Sequence, residues 1–438
     1  MASRQATRGQ GGCSATDAAL DREAIVAYRS GDGGFAREIA AMSKTTDQGA
    51  KAVGPLAGVR IVDLTQFVLG PYATQTLGDL GADVIKVEEP AGDRQRTSGK
   101  APNSPTMGPM FVAFNRNKRS VALDLKDEPG RSALRQLIAT ADVFIHNMRP
   151  DSIARLGFAY AEVAKVKPDI VYVEAMGFDP AGPYAGRQAF DDLIQAASGA
   201  CGLNAMVEPD ATFRPLPTII ADKTSGLFAV IATLSALRHR DRTGEGQYVC
   251  VPMLEVFTGF LMAEHLYGET YIPPTGHFGH TTTITPYRRP LKTKDGYLAV
   301  APADRKQSAR FMALGGIPDA YESERFTSKT SGAERVAEYH AMMDEAAAAH
   351  TTAEWMVLCF ENSIPGMRAN RPDEIFDDPQ LKETLFEERQ LEGEGTYRAM
   401  KPGLRFSKSP VSIRRDPPPL GRHTDEVLAE LNAVKAAE

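Results

Sequence analysis

VRIVDLTQFVLGPYATQTLGDLGADVIKVE, residues 59–88, decides the fold. VRIVDLT is a run of branched apolar residues and reads as a strand, PYATQTLGDLG reads as a helix opened by Pro71, and ADVIKVE reads as a second strand. Strand, helix and strand in this order form a parallel crossover unit, and the sequence beyond it repeats the pattern. SVALDL is a third strand, EPGRSALRQLIATA a helix with an acidic first turn, DVFIHNM a fourth strand and DIVYVEAMGF a fifth. Near-continuous branched strands separated by helices indicate a parallel sheet buried on both faces, an α/β doubly wound, Rossmann-like class. Such sheets take ligands at the carboxyl ends of their strands, where residues 66–71 and 147–150 fall.

The pattern divides the chain. Residues 1–53 are small, polar and Gly-rich at the start and read as a flexible N-terminal extension, with Met42 as an alternative start. Residues 54–269 carry the strand and helix alternation of a large α/β domain. Residues 270–375, with a DG turn between LKTK and YLAVAP followed by helical stretches, read as a smaller α+β domain. Residues 376–438 end in an amphipathic helix.

Composition bounds the function. A net charge of −6 argues against nucleic-acid or anionic-membrane affinity, so a polyanionic ligand needs a local basic cluster. No apolar run approaches the ~18 residues that span a bilayer, and the N-terminus lacks the apolar core of a secretory signal, which makes the cytoplasm the expected compartment. The cysteines Cys13, Cys201, Cys250 and Cys359 form no CxxC pair, so free thiols are expected rather than a zinc site or disulfides. The turn after the first strand reads QFVLGPY, without the GxGxxG that admits a pyrophosphate to the backbone. No Walker loop, HExxH or GxSxG occurs.

Basic residues gather in NRNKRSVALDLK (Arg116, Lys118, Arg119, Lys126) and in HNMRPDSIARLG (Arg149, Arg155), beside the ligand end of the sheet. That placement suits a phosphate-bearing ligand, although charge runs are commonly solvated surface. PTIIADKTSG, residues 217–226, places Asp222 after a strand-like run and before an apolar helix. An aspartate there commonly caps the helix, and the same helix end favours an ionised nucleophilic carboxylate. Asp191 and Asp192 read as caps of the next helix upstream. His277 and His280 have no third ligand nearby, and no metal site is expected.

Taken together, GPLAGVRIVDLTQFVLGPYATQTLGDLGADVIKVEEPAGD, FNRNKRSVALDLK, residues 147–157, GPYAGRQAFDDLIQAASG, ADKTSG, RTGEGQYV and LGRHTDEVLAEL resemble, in order over residues 54–434, the family III CoA-transferases of CaiB/BaiF type. This is the group of formyl-CoA transferase and the carnitine CoA-transferases, and it also holds α-methylacyl-CoA racemase. The resemblance implies a CoA-transferase that moves CoA from an acyl-CoA donor to a carboxylate acceptor through aspartyl anhydride and aspartyl-CoA thioester intermediates, with Asp222 as nucleophile. It implies CoA contacts from Gln66, Phe67, Leu69, Lys118, Arg119, Leu123, Lys126, Asn147, Met148, Arg155 and Leu156, and an active-site wall from Phe190 and Asp191. It further implies coenzyme A thioester as substrate with no permanently bound cofactor, and an interlocked homodimer of ring-shaped chains whose tail returns to the large domain.

Two alternatives accompany that reading. A 2-methylacyl-CoA racemase of the same family needs an acid/base pair, but Phe190 stands where racemases carry a histidine, and Asp304 falls near their other carboxylate position. The other alternative is a non-catalytic CoA-binding protein. The loop GHFGHTTTITPYRRP and the segment SIPGMRANRP depart from the family pattern, which makes Arg288, Arg289 and Arg368 candidates for an acceptor carboxylate.

Overall fold

The structure is a computed structural model that describes residues 54–437, with side chains through residue 433. The expected extension 1–53, Met42 included, lies outside the described residues. The chain divides into two compact units, residues 54–284 with 379–437 and residues 285–378.

The larger unit is built on six parallel strands: β1 (Arg60–Leu64), β2 (Asp83–Glu88), β3 (Lys118–Ala122), β4 (Val143–His146), β5 (Val171–Met176) and β6 (Gln247–Pro252). Their order is β3-β2-β1-β4-β5-β6, and every pairing is parallel. The expected doubly wound sheet is therefore present. The helices that matter to the site are α1 (Leu69–Asp79), α2 (Glu128–Ala139), α3 (Asp191–Ala197), α4 (Ile220–Thr243) and α5 (Met253–Met262).

Alternation along each strand fills both faces. Ile61, Val84, Val143, Ile145 and Val171 pack with Ala73 and Leu77 of α1 and Ala229 and Leu237 of α4. Val62, Ile85, Phe144 and Tyr172 point the other way, onto Leu134, Leu137 and Ile138 of α2. Two apolar faces explain why the strands read as continuous runs rather than as alternating ones.

Helix α4 corrects one expectation. By length and composition it is apolar enough to cross a bilayer, yet half of its apolar window is buried inside the fold. It lies against α1 at backbone distance: a Cβ on Gly226 would meet the Leu69 carbonyl oxygen at 2.8 Å. A small residue is required there, which ties the first turns of α4 to the start of α1.

The tail, ending in helix α9 (Thr424–Ala437), runs along the free edge of β3. The backbone N–H groups of Arg414 and Arg415 donate to Asn117 Oδ1 at 2.6 and 3.0 Å, and Ala122 N–H donates to Thr424 Oγ1 at 3.0 Å. An edge that would otherwise expose its backbone is thus covered. The smaller unit holds the antiparallel strands β7 (Leu291–Lys292), β8 (Tyr297–Val300) and β9 (Gly366–Arg368) with helices α6 (Arg305–Leu314), α7 (Gly332–Ala347) and α8 (Thr352–Glu361). Its core centres on Trp355 stacked over Phe311.

Candidate active site

The strand order reverses between β1 and β4, because β1 leads outward to β2 and β4 outward to β5. At such a switch point the loops at the carboxyl ends diverge and leave a crevice. Gln66 and Asn147 face each other across it. Asn147 Oδ1 accepts the Gln66 N–H at 2.9 Å and Asn147 Nδ2 donates to the Gln66 carbonyl at 2.7 Å, so one side chain holds both polar groups of a loop residue. Phe67 follows in the left-handed region at φ 68°, a strained conformation for a non-glycine residue, and its N–H reaches Asp93 Oδ1 at 3.4 Å. Behind Asn147, buried His146 bonds through Nε2 to Tyr172 Oη at 2.7 Å, and the Tyr172 hydroxyl donates to the Phe158 carbonyl at 2.9 Å. Burial pushes the His146 imidazole down to about 3, so it is neutral across the physiological range.

Asp222 is neither after a strand nor a helix cap. The run Thr218–Ala221 forms no strand: Ile219 is the N-cap of α4, and Asp222 lies in the first turn at the third helical position. Its carboxylate has no hydrogen-bond partner among the described residues. The capping expectation for Asp191 also changes. Phe190 is the N-cap of α3, with no side-chain cap, and Asp191 turns its carboxylate to α4 instead. Asp191 Oδ1 accepts the Asp222 N–H at 3.0 Å, and Asp191 Oδ2 accepts Gln195 Nε2 at 2.6 Å. One of the unpaired N–H groups of the α4 N-terminus is thereby satisfied from a second helix. Burial, and secondarily the Asp191 charge, push the Asp222 carboxyl up from 3.8 to about 7.

Phe190 is 55% exposed, and its ring meets Phe67 edge to face at a centroid distance of 6.1 Å. Leu69 lies under Gly226, one turn beyond Asp222. The structure therefore brings together Gln66, Phe67, Leu69, Asn147, Phe190, Asp191 and Asp222. Leu123, Met148 and Leu156 gather in a second patch, all packed on the α2 face of the core. Lys126 and Arg155 are exposed, and neither has a carboxylate partner among the described residues.

Lys118 and Arg119 do not join them. Lys118 is fully buried and its Nζ bonds Asp63 Oδ2, the Pro71 carbonyl and Asn115 Oδ1 at 3.2, 3.0 and 2.8 Å. Arg119 pairs with Asp83 and, in the tail, with Glu426 and Glu430. Alternation on β3 sends these cations in opposite directions into the protein, where a bare buried charge would be costly, so each finds carboxylates. Arg116 likewise pairs with Asp79. Lys118 and Arg119 thus hold the sheet and its tail.

Asp304 caps α6 by accepting the Gln307 N–H at 2.8 Å, and Arg289 pairs with Asp344. Arg288 is exposed, and Arg368 sits half-buried on β9. His277 stacks on Tyr267, and among the described residues no group of three or more His, Cys, Asp or Glu side chains is placed to hold a metal ion. Sequence reasoning missed Gln195, although its spacing of four from Asp191 puts both on one helix face.

A family model for CoA-transferase family III matches residues 56–424. The succinyl-CoA:glutarate CoA-transferase of Mus musculus is 33% identical over 382 residues, 86% of each chain. The beta subunit of the succinyl-CoA–L-malate CoA-transferase of Chloroflexus aurantiacus is 30% identical, covering 86% of this chain and 94% of its own. A crystal structure of a CAIB/BAIF family protein from Brucella suis superposes with a TM-score of 0.73 at 30% identity, over 86% of this chain and 100% of that one. The chain belongs to CoA-transferase family III and is a CoA-transferase.

Proposed function

We propose that Asp222 is the nucleophile of a CoA transfer that passes through an aspartyl anhydride and an aspartyl-CoA thioester. One observation carries this: among the described residues the Asp222 carboxylate has no hydrogen-bond partner, at a helix N-terminus where Asp191 has taken over the capping. A cap has its oxygens engaged, whereas a nucleophile needs a lone pair free.

The course balances without redox change. The Asp222 carboxylate attacks the donor thioester carbonyl, a C–O bond forms, the C–S bond breaks and CoA leaves as thiolate. The thiolate then attacks the aspartyl carbonyl of the anhydride, forming the aspartyl-CoA thioester and releasing the donor acid as carboxylate. The acceptor carboxylate attacks that thioester, giving a second anhydride and thiolate, and the thiolate attacks the acceptor carbonyl to release acceptor-CoA and free Asp222. Every step is acyl transfer between oxygen and sulfur, so no metal or prosthetic group is needed. Anhydrides hydrolyse, and the Phe67–Phe190 wall is suited to excluding water.

The CoA contacts we assign are Gln66, Phe67, Leu69, Leu123, Lys126, Asn147, Met148, Arg155 and Leu156. Because relatives are named for succinyl-CoA, glutarate and malate, we take dicarboxylic acids as the first substrates to test. Leu227 and Ile231 on α4, with Leu193 and Phe260 on the adjoining helices, remain exposed, and we assign this apolar face to a second copy in the interlocked dimer, which native mass spectrometry would test. Cys201, Cys250 and Cys359 are free thiols, in keeping with a reducing compartment, the cytoplasm.

The racemase reading loses support at Phe190, which relays no proton. An acyl-CoA panel with hydroxylamine tests the proposal: transfer through Asp222 leaves a hydroxamate there, while deuterium uptake at the α-carbon of an (R)-2-methylacyl-CoA without any acceptor acid would instead indicate a racemase.

A further inference from the structure

Arg94 is an exposed guanidinium at the crevice with no carboxylate partner among the described residues. Its neighbours differ: Arg96 pairs with Glu88, Arg116 with Asp79 and Arg119 with Asp83 and Glu430. Arg94 opens the short 3-10 turn Arg94–Thr97, whose N-cap is Asp93. Asp93 is itself fixed from several sides. Its Oδ2 pairs with fully buried Lys86 Nζ at 3.0 Å, its N–H donates to Glu88 Oε1 at 3.0 Å, and its Oδ1 receives the N–H of Gln95 and, at longer range, that of Phe67. A buried ion pair therefore ties the backbone that carries Arg94 to the strained loop residue of the candidate active site. The guanidinium lies 6.0 Å from the Phe67 ring centroid, and the same ring meets Phe190, which adjoins Asp191.

We propose that Arg94 binds an anionic oxygen group of the substrate in this crevice, a carboxylate or a phosphate. The inference rests on the CoA-transfer reading given above. A guanidinium presents two parallel N–H donors to either group, and the aromatic ring beside it keeps it poised without neutralising it. The shared chemistry has two sources, the second carboxylate of a dicarboxylic acyl group and the phosphates of CoA.

The test is calorimetric binding of three probes to the full chain and to Arg94→Met and Arg94→Lys: succinyl-CoA, butyryl-CoA, which lacks the second carboxylate, and S-succinyl-pantetheine, which lacks the phosphates. Among the described residues Arg94 makes no side-chain hydrogen bond or ion pair, so both variants are expected to fold. Arg94→Met weakens binding of the probes that carry the recognised group about tenfold to a hundredfold, the usual worth of a hydrogen bond to a charged group, and Arg94→Lys restores part of it. Loss with succinyl-CoA and S-succinyl-pantetheine but not butyryl-CoA identifies the carboxylate. Loss with both CoA thioesters but not the pantetheine identifies a phosphate. Unchanged affinity for all three probes overturns the proposal. A wild-type chain that binds none of them overturns the CoA-binding reading and this inference with it, whereas one that binds them but yields no hydroxamate at Asp222 overturns only the covalent course.

Discussion

Replacing Asp191 by Asn isolates the electrostatic link between the two carboxyl groups. Asp222 stands at about 7 instead of 3.8, a rise of about three pH units, or ~4 kcal/mol at ~1.4 kcal/mol per unit. Burial is the larger cause and Asp191 the smaller, so the Asp191 charge accounts for less than half, ~1.5 kcal/mol or about one pH unit. On the proposed course only the ionised Asp222 carboxylate attacks, so kcat/KM of the wild type is expected to rise with pH through about 7. In Asp191→Asn the amide oxygen still accepts the Asp222 N–H, while the contact to Gln195 Nε2 turns donor against donor and is lost. That loss lowers stability by ~1 kcal/mol without adding charge. The assay is the pH profile of kcat/KM for CoA transfer between pH 5 and 9. The midpoint is expected to fall to about 6, where half of Asp222 ionises once its neighbour is neutral. A midpoint that does not move in Asp191→Asn, or a wild-type profile flat from pH 5 to 9, refutes the reasoning.

Asp222→Asn lowers kcat by about a thousandfold or more, as the loss of a covalent nucleophile does. The same variant is expected to gain stability over the wild type as pH rises. The folded midpoint lies above the unfolded one, so the stability that protonation confers is present below pH 3.8 and lost as pH rises through about 7. Chemical denaturation should show the advantage of Asn widening by ~2 kcal/mol between pH 5 and 8, after allowance for partial solvent access; an advantage independent of pH counts against a raised carboxyl. Gly226→Ala pushes a methyl to 2.8 Å from the Leu69 carbonyl and separates the first turns of α1 and α4, costing about 1–3 kcal/mol in thermal unfolding and lowering kcat with the nucleophile intact. Tyr172→Phe leaves the buried His146 Nε2–H without its acceptor, at a cost of about 1–3 kcal/mol, and loosens the Asn147 turn, read as a raised KM for the acyl-CoA with kcat little changed.

The sheet was legible because its strands obey one local rule. Val62 and Ile61 serve opposite faces that are both apolar, so the pattern survives without knowledge of the partners. What failed was what depended on remote partners. Thr218–Ala221 resembles a strand because a short branched run carries no period, and the structure turns Ile220 and Ala221 into the first turn of α4. Lys118 and Arg119 resembled a ligand patch because their carboxylates, Asp63 and Asp83, lie 55 and 36 residues away in sequence. Asp191 resembled a cap for its own helix, whereas its acceptor role is for an N–H 31 residues downstream. In the site, Asn147 and Gln66 fell at strand ends where a doubly wound sheet binds ligands, but their mutual clamp spans 81 residues and no spacing rule announces it. Asp222 stands out in the sequence for its neighbourhood, and only the structure shows that its oxygens have no hydrogen-bond partner among the described residues.

The most direct measurement is peptide mapping by mass spectrometry after the wild-type chain has turned over an acyl-CoA in the presence of hydroxylamine. The account predicts a single hydroxamate, on Asp222, that is absent in Asp222→Asn. A hydroxamate on any other carboxylate, or none at all while CoA transfer proceeds, would contradict it.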